Sequence, residues 1–106
     1  MILSFASKLA ARLNEYKTLC GFTYFSHYEI TVSEGKKYTK VFSVEVGANG
    51  SKGANRIVCF IDNQTGDIFK PASFSAPAKH ARGNVNSPQN GMEAITPDGF
   101  VYYLKN

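Results

Sequence analysis

The chain has 106 residues, 43% of them hydrophobic, 13% aromatic and 19% charged, with a formal net charge of +4. That length suits one compact domain with a modest core and is too short for two. It also leaves no room for the large cofactor folds: Gly47, Gly50 and Gly53 form a GxxGxxG that fits neither the dinucleotide fingerprint nor the phosphate loop.

Residues of about 4–20 read as an amphipathic helix. Phe5, Leu9, Leu13, Tyr16 and Cys20 recur at spacings of four, four, three and four, while Lys8, Arg12, Glu15 and Lys17 fall elsewhere. Lys8 and Arg12 break the apolar start, so this stretch reads as part of the domain and not as a signal or membrane segment. Gly21 stands where a left-handed cap ends a helix.

From there to residue 104 the pattern is β. Phe22 to Val32 is rich in aromatic and β-branched residues and alternates in polarity. After a tight connection at Ser33, Glu34 and Gly35, Tyr38 to Val46 resumes the alternation, with Phe42, Val44 and Val46 on one face and Thr39, Ser43 and Glu45 on the other. Gly47 to Asn55 reads as a flexible loop tip that could extend the hairpin or contact a partner. Arg56 to Asp62 is apolar on both faces, which marks a central strand, and the turn Asn63 to Gly66 leads into a returning strand, Asp67 to Lys70. Pro71, Pro77 and Pro88 then interrupt the chain, so about 71–91 is expected as a long Pro-rich loop, with Phe100 to Leu104 as the closing strand. One helix and five short antiparallel strands favour a small barrel, because closure removes exposed edges.

The motifs for chemistry are thin. Cys20, Cys59, His27 and His80 lack zinc-ligand spacing, and the two cysteines sit among apolar neighbours as free, buried thiols. Asp62 and Asp67 flank a turn and are expected to hydrogen-bond its backbone. Neither a metal, a cofactor nor an enzymatic activity is expected.

Charge is more informative. Lys36 to Arg82 carries eight Lys or Arg against three acids, a net of +5, and Ile68 to Gly91 has no acid at all. Lys70, Lys79 and Arg82, with His80 between them, suit phosphates; Phe69 and Phe74 offer stacking faces; Asn84, Asn86, Gln89 and Asn90 suit base edges or sugar hydroxyls. The opposing view is that the charge serves solubility, that Phe69 and Phe74 are core and that the amides sit in solvated turns.

The segment IDNQTGDIFKPASFSAPAKHARGN, Ile61 to Asn84, resembles a family of small proteins abundant in marine phage genomes, cyanophages among them. The shared residues are Phe60, Asp62, Thr65, Gly66, Asp67, Lys70, Ala72, Ser73, Ala76, Pro77, Ala78, Lys79, Arg82 and Asn84. Phe74 departs from the family's usual Trp, which keeps the ring and loses an indole N–H. The resemblance implies an Sm-like (LSm-like) fold: an N-terminal helix on a strongly bent five-stranded antiparallel barrel whose copies pair strand to strand in a homo-oligomeric ring. Such rings bind RNA, or less often DNA. The expectation is a single Sm-like domain that binds single-stranded RNA or DNA in the cytoplasm of an infected bacterial host, with a role in phage RNA or DNA processing. Its contacts are expected at Lys70, Phe74, Lys79, His80, Arg82 and Asn84, with about five to seven subunits closing the ring. The alternative from another class is a protein-interaction module working through the Pro-rich loop.

Overall fold

The computed structural model describes residues 2–21, 23 and 25–102. Helix α1 runs from Ile2 to Cys20 and buries Phe5, Leu9 and Leu13, the stripe expected from spacing. Gly21 ends it in the left-handed conformation (φ 71°), its N–H bonding back to the Thr18 carbonyl at 3.2 Å. The stripe does not extend to Cys20, which is exposed; Cys59 is buried as expected.

Five strands follow: β1 (His27–Glu34), β2 (Tyr38–Val46), β3 (Lys52–Asp62), β4 (Asp67–Pro71) and β5 (Pro77–Asn84). Each pairs antiparallel with the next, in the order β1-β2-β3-β4-β5. The sheet is open, and β1 and β5 are its edges. The first expected strand is shorter than the pattern suggested, beginning at His27; Phe22 and Tyr24 lie outside the described residues.

Of the two expected loops, the first proves to be the extended end of a hairpin and the second is corrected. Residues 47–51 form a tight turn, closed by the Gly47 N–H on the Ser51 carbonyl at 2.8 Å, and the chain from Lys52 onward already belongs to β3. The supposed Pro-rich loop contains β5. Pro71 and Pro77 do not break this hairpin because they sit opposite one another at its end, where a missing N–H costs no ladder bond. The fifth strand is therefore Pro77–Asn84. Val101 makes only an isolated antiparallel bridge to Ile95, and Tyr103 and Leu104 lie outside the described residues.

The core lies between α1 and one face of the sheet. Val41, Cys59, Ile61 and Ile68 of β2–β4 meet Phe5, Leu9 and Leu13, and Val85, Met92, Ile95 and Val101 close it from the C-terminal side. Burial does not stop at that face. Phe42, Val44, Val46 and Phe60 are buried although they stand outside this cluster. Register shifts between β2 and β3 and between β4 and β5 explain this in part, since each extra residue bends its strand and adds twist. Thr39 and Ser43, expected on a polar face, are buried on the helix side; the Thr39 hydroxyl donates to Asn63 Oδ1 at 2.6 Å.

Candidate nucleic-acid interface

The face of the sheet away from α1 carries rings and lysines in register. Residues opposite one another share a face, so Lys40, Phe60, Phe69 and Ala81 form one row across β2, β3, β4 and β5. Alternation along β2 puts Tyr38 and Phe42 on either side of Lys40. Tyr38 meets Phe60 and Phe69 edge to face, at centroid distances of 6.0 and 5.8 Å. Phe74, in the turn between β4 and β5, lies 5.5 Å from Phe42 and remains 56% exposed.

Lysine ammonium groups lie over these rings. Lys40 Nζ is 5.2 Å from the centroid of Phe74 and 5.8 Å from that of Phe60, and Lys37 Nζ is 5.4 Å from that of Tyr38. Each such contact contributes roughly 0.5–1 kcal/mol where water reaches it. Phe60 is buried; Phe74 is the open ring. An exposed ring beside a lysine held by other rings can stack a base while the ammonium meets its phosphate.

The six residues expected from sequence divide. Phe74 belongs to this face. Lys79 and His80 are exposed on β5, and their side chains make no hydrogen bond or ion pair among the described residues. Lys70 and Arg82 are engaged with the C-terminal segment: Lys70 Nζ donates to the Val101 carbonyl at 3.3 Å and Arg82 Nη1 to that of Tyr102 at 3.2 Å. Asn84 braces turns. Its Nδ2 reaches the Thr65 carbonyl at 2.8 Å and Asp67 Oδ1 at 3.0 Å, and its Oδ1 accepts the Asn86 N–H at 2.7 Å. Asn90, buried at φ 57°, donates to the Val85 carbonyl. Both amides bond chiefly to backbone groups, and Asn90 is buried where the opposing view had a solvated turn.

Sequence reasoning missed Lys37, Lys40, Tyr38 and Phe42. The signal was present in the alternation Tyr38, Lys40, Phe42, which places a cation between two rings on one face.

Family membership follows from the whole chain. The chain belongs to a family of unknown function, DUF7717. The family's model matches residues 4–103, so helix, sheet and C-terminal segment all fall within the shared unit. No curated protein and no solved structure matches the chain.

Elsewhere, Arg12 donates to the carbonyls of Met92 and Ile95, at 2.8 and 2.7 Å, and ties α1 to the 3₁₀ turn Met92–Ala94. Glu29 bridges to Lys52 at 3.3 Å, and that contact, with His27 beside it, holds its carboxyl below the ordinary value. Burial lowers the Arg56 guanidinium from its ordinary value. Among the described residues no three His, Cys, Asp or Glu side chains are placed to hold a metal ion, and no helix is long and apolar enough to cross a membrane.

Proposed function

We propose that the chain binds single-stranded nucleic acid, RNA in the first place or DNA, on the sheet face away from α1. The observation that carries this reading is Lys40 Nζ seated 5.2 Å over the half-exposed Phe74 ring. Stacking on such a ring requires an unpaired base, so a duplex is disfavoured. Lys37 and Lys40 stand beside the rings, Lys79 adds a further cation on β5, and the chain as a whole is basic. No chemistry is assigned to the site.

The open edges support a second element of the reading, a homo-oligomer of Sm-like character. β5 of one copy and β1 of the next offer unpaired backbone groups, and a head-to-tail contact that closes gives a ring with every edge paired.

A titration of labelled single-stranded RNA, single-stranded DNA and duplex at several salt concentrations tests the binding. Affinity for single strands should fall steeply with salt, and Lys40→Ala should weaken it and reduce the salt slope by about one. Equal affinity for duplex, or an unchanged titration in a Lys40→Ala, Phe74→Ala variant, would sink the proposed site. Light scattering reports the assembly, and a monomer at micromolar concentration rejects the ring.

A further inference from the structure

Three cations from three successive strands converge on one short segment, 99–102. Arg56 Nη2 of β3 reaches the Gly99 carbonyl at 3.5 Å, Lys70 Nζ of β4 that of Val101, and Arg82 Nη1 of β5 that of Tyr102. These acceptors are neutral backbone carbonyls, so the bonds position the cations. Val101 is 2% exposed and anchors the segment in the core. In an extended backbone its neighbours point the other way, and Phe100 and Tyr102 are each 47% exposed. Their Cα atoms stand about 6.7 Å apart along the chain, and about 3.4 Å separates stacked bases, so the two side chains have the spacing to hold one base between them. The Arg56 guanidinium lies 4.3 Å from the Phe100 centroid, the shortest cation–ring contact among the described residues.

We infer that Phe100 and Tyr102, backed by Arg56, Lys70 and Arg82, form a second base-stacking platform, and that one single strand runs along β5 from Phe74 to it. The inference rests on the reading of Phe74 and Lys40 above and extends it to a path. β5 supplies the connection. Its turn carries Phe74, its exposed middle carries Lys79 and His80, and its far part carries Arg82, which holds Tyr102. Pro77 to Arg82 covers about 17 Å at strand rise, the length of about five stacked nucleotides. With a base on each platform the footprint is about seven nucleotides, inside the range of small single-strand binders.

The experiment measures anisotropy of labelled dT4 and dT10 on the full chain, the wild type beside Phe100→Ala, Tyr102→Ala and, separately, Phe74→Ala. The wild type should bind dT10 about tenfold or more tighter than dT4, since only the longer strand spans both platforms. The double variant should bring dT10 down to the dT4 level and change dT4 by no more than about twofold. Phe100→Leu with Tyr102→Leu should weaken dT10 equally, because it keeps apolar volume and loses the rings. Unchanged dT10 binding in the double variant overturns the second platform while leaving Phe74 standing. Binding lost with Phe100 and Tyr102 but untouched by Phe74→Ala upholds the platform and rejects the site on the other face. No binding of dT4 or dT10, nor of rU4 or rU10 measured in the same way, rejects both.

Discussion

Asn14 of α1 pairs with both backbone groups of Tyr28 on the edge strand β1. Its Oδ1 accepts the Tyr28 N–H at 2.7 Å and its Nδ2 donates to the Tyr28 carbonyl at 3.2 Å, as a neighbouring strand would. The helix thereby covers the start of an otherwise open edge and leaves the outward groups of Ile30, Val32 and Glu34 for a partner. Asn14→Ala should destabilise the chain by about 1–3 kcal/mol, because it strands a partly buried N–H and C=O. Urea unfolding measures it. An unchanged midpoint would mean that water replaces the amide at no cost.

The chain contains no tryptophan. Phe74→Trp therefore installs a single reporter at the half-exposed ring beside Lys40, without touching the core. Indole is the stronger cation–π partner and a larger stacking surface, so single-strand binding should be retained or tightened by a few-fold. Emission should be quenched as the oligonucleotide is added and restored by high salt. Binding without any change in emission would place the base elsewhere.

The helix, the first hairpin and the β3–β4 turn were legible because each rests on a local rule: spacing for Phe5, Leu9 and Leu13, alternation through Val46, and positive φ at Gly66. β5 was not. PAKHARGN has low strand propensity, and its pairing with β4 includes irregular register that no local pattern announces. The site followed the same division. Phe74, Lys79 and His80 could be picked from composition, but the partners of Lys70 and Arg82 are carbonyls some twenty to thirty residues away, at Val101 and Tyr102. Charge in a sequence says that a cation is present and not what it already holds.

The two thiols should differ sharply in reactivity. Cys20 is exposed at the end of α1, whereas burial pushes the Cys59 thiol far above its ordinary value and closes it to reagents. A thiol-specific reagent should label one cysteine per native chain and two per chain in denaturant. Native labelling of both would require the β3 core to open readily.

Acid should loosen the β3–β4 turn. Asp62 Oδ1 accepts the N–H groups of Gln64 at 2.8 Å and Thr65 at 3.1 Å, and these bonds hold its carboxyl below the ordinary 3.8. A carboxyl lowered on folding stabilises fully above its unfolded value, and that contribution is lost as the pH falls through the folded one. Stability followed by urea unfolding from pH 5 downward should therefore decline, and Asp62→Ala should decline less steeply. Identical slopes would remove Asp62 from the acid response.

Gly99 joins the core to the proposed second platform, and its substitution separates two costs. It adopts φ 87°, and a Cβ there would come within 2.3 Å of Leu13 Cδ2, a side chain buried against α1's neighbours. Gly50 adopts nearly the same conformation, φ 84°, with nothing within 4 Å of a Cβ. Gly50→Ala should cost about 1 kcal/mol for the left-handed backbone alone. Gly99→Ala adds overpacking of about 1–3 kcal/mol to that strain, a large share of what a domain of this size commands. Because the Gly99 carbonyl also accepts from Arg56, displacing it should move the guanidinium off Phe100 and weaken dT10 more than dT4. Comparing the two alanine variants by thermal unfolding and by anisotropy checks both effects. Equal stability losses would show that Leu13 yields freely, and equal oligonucleotide affinities would show that the ring needs no help from the turn beneath it.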